Sequence, residues 1–386
     1  MNVFHCDHCG QLLFFENVNC VRCGRALAYV PELSSLVSLD HRPEDGEHNR
    51  WSSPLSVTPF KLCENYTKHN ICNWALPFED PSTLCRSCRL TTTIPNLAQP
   101  GNDRLWYKLE VAKRRLVYTL DQLHLPLMTK QESEERGLAF EFLEDPAPGT
   151  NAPKVMTGHA GGVITINVAE ADDAERAKRR QQLNEPYRTV LGHFRHESGH
   201  YYWDRLIAGS DRLAAFRQLF GDEQADYQAA VQRHYAEGAP PGWQNDFVSA
   251  YATMHPWEDW AETWAHYLHM LDTLETASAT GISIQPPRRD EPALSQVVDP
   301  IQDTRFPFEQ MMDAWGTITY VLNNLNRGLG NADAYPFVLS STSTSKIRFV
   351  HDTIAEHVRH SSARAAWRSG VDHVANDAVR GLASSP

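Results

Sequence analysis

All eight cysteines of this 386-residue chain, Cys6, Cys9, Cys20, Cys23, Cys63, Cys72, Cys85 and Cys88, lie within its first 88 positions. Cys6-Asp7-His8-Cys9 and Cys20-Val21-Arg22-Cys23 are CxxC pairs, each followed by a glycine, Gly10 and Gly24. Two thiolates on one tight turn converge on a single ion at about 2.3 Å, and glycine relieves the backbone where amides turn toward sulfur. Two such knuckles complete a tetrahedral four-cysteine site, so residues 1–40 read as a structural zinc ribbon rather than a disulfide or redox framework. Cys63, Cys72 and the pair Cys85-Arg86-Ser87-Cys88 supply a second set of four within residues 60–95. They read as a second structural zinc site, with Cys63 and Cys72 as ordinary buried thiols the plainer alternative. Closed four-ligand sites leave no position for a substrate, so chemistry is expected elsewhere.

Charge and hydropathy narrow the setting. A net charge of -12 argues against a large nucleic-acid footprint, which needs a basic face to release counterions. No apolar run reaches the roughly 18 residues a membrane helix needs, and the first residues lack the basic and apolar regions of a signal peptide. A cytoplasmic protein is expected, and there closely paired cysteines hold metal more often than disulfides. A partner protein remains open as something the ribbons could bind.

Residues 1–100 are short on regular periodicity and read as a metal-organised module, interrupted by a charged, turn-prone stretch from Asp40 to Trp51. From residue 101 the pattern becomes helical, with Leu105, Leu109, Ala112, Leu116, Leu120 and Leu123 at three- and four-residue steps. A second domain is expected over 101–360, with residues 361–386 as a C-terminal tail. Within it Gly161 to Val168 reads as a strand, while Tyr187 to Ile207, Pro256 to Leu274 and Phe308 to Leu325 read as helices. Ser340 to Ser345 reads as a polar turn.

The cysteine-free part carries His196-Glu197-Ser198-Gly199-His200, an HExxH motif inside a predicted helix. Residues four apart share a helix face, so both imidazoles can bind one zinc ion, and Glu197 is placed as general base. A two-histidine site needs a carboxylate ligand from a second helix and an acceptor for a ligand histidine's other N–H. Glu258 and Glu262, one turn apart, can supply both. Which of the two takes the metal is left open by the spacing. His193 and Asp204 lie on the same face of the first helix and read as supporting groups around the ligands. His255, His266 and His269 are possible donors to a transition state, though a lone helical histidine more often serves structure. Trp257, Trp260 and Trp264 read as core.

The CxxCG pairs together with ITINVAEADD (Ile164 to Asp173), HFRHESGHYYWDRL (His193 to Leu206) and FVSAYATMHPWEDWAETWAHYL (Phe247 to Leu268) resemble the zinc-ribbon-fused zinc-binding metallopeptidases of bacteria, within the gluzincin group. The resemblance runs from the ribbon to about Asp352. It implies an α+β fold, a mainly helical zincin-like domain with a small sheet, preceded by the Cys-rich module. It also implies one catalytic zinc besides one or two structural ones. Gluzincins carry the third ligand in a Glu-x-x-x-Asp pattern, the first acid on zinc and the second bonded to a ligand histidine; here the second acid is Glu262, one methylene longer, and the resemblance favours Glu258 on the metal with Glu262 as the alternative. Tyr251, seven residues before Glu258, falls where related enzymes place a phenol that stabilises the oxyanion.

The reaction so implied is peptide hydrolysis by Glu-assisted attack of zinc-bound water, on a peptide or protein substrate. Val163 and Thr165 would hold that substrate by strand addition at a sheet edge. The rival class is a non-catalytic zinc scaffold or regulator that binds protein or nucleic acid through its ribbons.

Overall fold

The computed structural model describes residues 1–41, 49–147, 149, 153–182, 185–302 and 306–360, so the expected C-terminal tail lies outside the described residues. In the first hundred residues the cysteines share their organising role with a sheet. Strands β1 (Phe4–His5) and β2 (Leu12–Leu13) form a small hairpin over the first knuckle. They precede β3 (Ala26–Val30), β4 (Ser35–His41), β5 (Trp51–Ser53) and β6 (Ser56–Leu62), then the short helix α1 (Glu64–Thr67) and β7 (Ala75–Pro77). Strands β3 to β7 make one five-stranded antiparallel sheet in sequence order. The stretch expected to divide two sub-modules is therefore a connection inside one sheet, because Asp40 pairs with Ser52 and His41 with Trp51 across it. Sequence periodicity missed these strands for a physical reason. Both faces of β3 and of the middle of β4 are covered, so the polar and apolar alternation of a half-exposed strand is absent.

A second sheet spans the module boundary. Strand β8 (Thr91–Thr93) precedes helix α2 (Asn102–Gln122), and β9 (Ala139–Leu143), β10 (Gly158–Ala160) and β11 (Val163–Asn167) follow it. The strand order is β10-β11-β9-β8, with β10 antiparallel and the other pairs parallel. Val163 and Thr165 were expected at an edge. They lie on an interior strand, paired with Ala160 and Ala139 and with Gly158 and Glu141 respectively, so their backbone has no edge to offer a substrate. Among the described residues the sheet edge beside them belongs to β10.

The remaining elements are helices: α3 (Asp173–Gln182), α4 (Val190–Leu206), α5 (Leu213–Phe220), α6 (Tyr227–Glu237), α7 (Pro256–Ala279), α8 (Phe308–Gly328) and α9 (341–360). The polar run at Ser340 to Ser345 opens α9 instead of forming a turn. Ser340 caps it by accepting from the Ser343 amide at 3.0 Å, and Thr344 and Ser345 return their hydroxyls to carbonyls four residues back. Hydroxyl residues that compete with the backbone in isolation are used here as a cap and as local donors. Among the described residues no helix is long and apolar enough to cross a membrane.

One hydrophobic core runs from Phe4 in the ribbon to Val358 in α9. Its centre is α4 against α7. A Cβ added at Gly199 would stand 2.9 Å from Ala261 Cα and 3.2 Å from Trp264 Cβ, so glycine permits this close approach. Trp260 then donates its indole N–H to the Gly199 carbonyl at 2.8 Å, and Trp264 donates to Ser198 Oγ at 3.1 Å. Helix α2 joins them through a buried network in which Asp272 of α7 accepts from Thr119 at 2.5 Å and pairs with Arg195 of α4. The HExxH helix is thus fixed on two sides.

Asp121 at the end of α2 gives a pH prediction. It is mostly buried, and the half-exposed Arg86 guanidinium at 2.8 Å only partly offsets that, so burial pushes its carboxyl up to about 6. A raised carboxyl keeps its proton in the fold. Its stabilising contribution is complete below the ordinary value near 3.8 and is lost as pH rises through about 6. Asp121→Asn is therefore expected to raise stability at pH 7.5 by roughly 1 to 3 kcal/mol and to leave it unchanged at pH 3.5. Thermal melts of both proteins at the two pH values check this, and an equal shift at both would refute it.

Candidate active site

The HExxH residues sit on α4, whose N-cap Thr189 accepts from the Gly192 amide at 3.0 Å. Glu258 and Glu262 sit in the first two turns of α7, which His255 caps by accepting from the Trp257 amide. Because α4 and α7 are in tight contact, the two motifs meet. His196 Nε2 lies 3.0 Å from Glu258 Oε2, and His200 Nε2 lies 3.5 Å from the same oxygen. The other ring nitrogen of His196, Nδ1, lies 2.7 Å from Glu262 Oε1, and Ser249 donates to Glu262 Oε2 at 2.6 Å. Glu258 thus faces both imidazoles, while Glu262 stands behind one of them.

The electrostatics favour a cation between these groups. Burial opposes charge on His196, yet the two carboxylates overcome it and hold the imidazole well above its ordinary range. Burial likewise opposes charge on Glu258 and Glu262, but His200 and His196 hold Glu258 well below the usual carboxylate range, and His196 holds Glu262 down to about 2. Glu197 has ligand-capable oxygens within 4.8 Å of both histidines. Burial raises its pKa, which makes it a stronger base than a solvated carboxylate.

The other expected residues divide. The Tyr251 ring stands 5.8 Å from that of His196, and burial, followed by the charge of Glu258, keeps its phenol protonated as a donor. His193 faces Glu170 at 3.9 Å, and burial with Arg188 nearby pushes it down to about 4. Among the described residues it forms no hydrogen bond or ion pair with His196 or Glu258. Asp204 is half-buried and is joined to His200 by no hydrogen bond among the described residues, although it shares its field. His255 spends its second nitrogen on the Ala225 carbonyl at 3.1 Å, His266 bonds Tyr335 at 2.6 Å, and His269 packs among Tyr187, Trp315 and Tyr335. Among the described residues none of the three is hydrogen-bonded to His196, His200 or Glu258. Trp260 and Trp264 are core, but Trp257 is half-buried with its ring 4.6 Å from His200, and so walls the site.

Three participants escaped the sequence reading. Ser249 supports Glu262, Tyr227 donates to Glu258 Oε1 at 2.8 Å, and His159 on β10 stacks 6.2 Å from His200 at 15°. His159 Nε2 accepts from the Gly162 amide, and burial with His200 beside it pushes its pKa down to about 3, so it is neutral near pH 7. None of the three belongs to a spaced motif.

The cysteines form two clusters. In the first, Cys6 and Cys23 sulfurs are 3.8 Å apart and Cys9 and Cys20 sulfurs 3.5 Å; in the second, Cys72 and Cys85 are 3.7 Å apart. All are free thiols. Four sulfurs about 2.3 Å from a central zinc ion would be separated by about 3.8 Å, so both clusters have the dimensions of a tetrahedral site.

Comparison with known proteins gives a consistent picture. A zinc-ribbon domain family matches residues 3–99, and a family described as "Putative zinc-binding metallo-peptidase" matches residues 102–353. Proteins of Mycobacterium bovis and Mycobacterium tuberculosis, both carrying the name uncharacterized protein, are 42% identical over 358 residues, which is 92% of this chain and 96% of theirs. No solved structure matches. With more than half of its length matched, the chain belongs to this zinc-binding metallo-peptidase family, and a zinc ribbon precedes its metallo-peptidase domain.

Proposed function

We propose that the protein is a zinc-dependent peptidase in which His196, His200 and Glu258 hold the metal and Glu197 is the general base. The observation that carries this reading is the convergence of two Nε2 atoms on Glu258 Oε2 at 3.0 and 3.5 Å beside a buried glutamate. Ligands about 2.0 to 2.1 Å from a tetrahedral zinc ion stand roughly 3.3 Å apart, so the donor set fits zinc. Glu262 orients His196 through Nδ1, the supporting contact that ligand histidines generally have.

When bound, zinc supplies Lewis acidity that makes a water nucleophilic near neutral pH and polarises the scissile carbonyl. Glu197 takes the proton from the attacking water and passes it to the leaving amine. Tyr251 donates to the oxyanion. The free edge of β10 gives an extended peptide a strand to pair with, and brings it past His159 and His200. Both cysteine clusters are structural zinc sites, and zinc-bound cysteine sets of this kind suit a reducing compartment such as the cytoplasm.

Metal analysis tests the count and cleavage tests the activity. The two four-cysteine groups and the His196, His200 and Glu258 set predict about three zinc ions per chain. His196→Ala is expected to reduce this to two and to abolish hydrolysis of a peptide library. A wild-type chain with two ions, unaffected by His196→Ala and inactive on the library, would favour a zinc scaffold instead.

A further inference from the structure

Glu258 uses its two oxygens differently. Oε2 faces the Nε2 atoms of His196 and His200, whereas Oε1 accepts a hydrogen bond from the Tyr227 phenol at 2.8 Å. Tyr227 is the first residue of α6, whose N-cap Asp226 accepts from the Ala229 amide at 3.0 Å. Its ring meets that of His255 edge-on, 5.3 Å away at 71°. His255 in turn caps α7 and bonds the Ala225 carbonyl at 3.1 Å. The start of α6 and the start of α7 are therefore joined twice, by Tyr227 to Glu258 and by His255 to Ala225. The phenol has little freedom to leave its carboxylate.

This matters because a carboxylate can bind zinc through one oxygen or both. With two histidines and one water, a carboxylate that uses one oxygen gives a four-coordinate site, and one that uses both gives a five-coordinate site. We propose that Tyr227 is a positioning residue that occupies Oε1 of Glu258, holds this carboxylate to a single oxygen on the metal, and so keeps the site at three protein ligands and one water. The inference rests on His196, His200 and Glu258 being the metal ligands. It assigns Tyr227 no contact with substrate. Without the phenol, Oε1 is free to swing onto the metal, and the carboxylate loses the contact that fixes its plane.

The test uses the full chain, stripped of metal and reloaded with Co2+ or Zn2+. Subtracting the visible spectrum of cobalt-loaded His196→Ala, which retains both cysteine sites, isolates the histidine site. The wild-type difference spectrum is expected to show the intense bands of four-coordinate cobalt. Tyr227→Phe is expected to show the weaker bands of five-coordination, to bind Zn2+ about 10- to 100-fold less tightly in chelator competition, and to lower kcat with little change in KM. An unchanged spectrum and affinity in a folded Tyr227→Phe chain would overturn the proposal. So would a five-coordinate spectrum in the wild type, a measurement that needs no variant at Tyr227. A wild-type difference spectrum with no bands at all would instead overturn the ligand assignment beneath it.

Discussion

Glu197→Gln is expected to lower peptide hydrolysis by about 10²- to 10⁴-fold while the chain keeps its metal and its melting temperature. Glutamine is nearly isosteric, and Glu197 is nine-tenths buried on a helix that Gly199, Trp260 and Trp264 already fix, so packing survives the change. What disappears is a proton acceptor beside His196 and His200. Burial raises the Glu197 pKa toward the working range of a general base, and an amide has no such function at any pH. Loss of cleavage without loss of metal separates a catalytic centre from a binding site, since a site that only holds zinc has no use for that carboxylate. Steady-state cleavage of a peptide library, run beside metal analysis and a thermal melt, measures all three quantities. Retained cleavage in a metal-loaded Glu197→Gln chain would remove Glu197 from the mechanism.

The parts of the site legible in the sequence are those written as short spacings on one element. His196 and His200 are four apart on α4, Glu258 and Glu262 four apart on α7, and the cysteines of each CxxC pair three apart within their turns. Helical geometry converts such spacings into shared faces. The family's order, ligand then orienter, pointed to Glu258, and its Oε2 lies toward both Nε2 atoms. Contacts between elements had no such signal. Tyr227 stands 31 residues before Glu258, Ser249 13 before Glu262, and His159 reaches His200 only because β10 folds back on β11. The mistaken edge at Val163 and Thr165 has the same origin. Their alternating β-branched run announces a strand but says nothing of the three-residue β10 that covers it, since so short a strand has no period of its own.

Cys85→Ser is expected to unfold far more than a zinc knuckle. All four sulfurs of the second cluster are buried, and the Cys85 amide donates to Cys63 Sγ while the Cys88 amide donates to Cys85 Sγ, so one sulfur supports the next. Structural zinc sites of this kind contribute on the order of 10 kcal/mol when measured in isolation, comparable to the whole stability of a typical domain. In many modular proteins that loss would stay inside the module. Here it cannot, because the cluster leans on the helix that supports α4 and α7 around His196 and Glu258. Arg114 of α2 is fully buried, donates to the Ile71 carbonyl at 2.5 Å and, although burial opposes its charge, is held protonated by Cys72, Glu110, Cys88 and Cys85. On the same helix Tyr118 packs on Phe15 and Tyr29 of the ribbon and bonds Glu275 of α7. Thr119 bonds Asp272, the partner of Arg195, which is adjacent to His196. Removing the zinc leaves the Arg114 guanidinium buried opposite a collapsed cluster and frees the ribbon face of α2. A single cooperative transition, displaced downward by well over 10 °C and accompanied by loss of peptidase activity, is the expected result for Cys85→Ser. Thermal melts followed by near-ultraviolet circular dichroism, with limited proteolysis to show which half opens, measure it. A variant whose residues 102–353 kept the wild-type melting temperature and protease resistance would show that the ribbon is an independent appendage and that the shared core carries little energy.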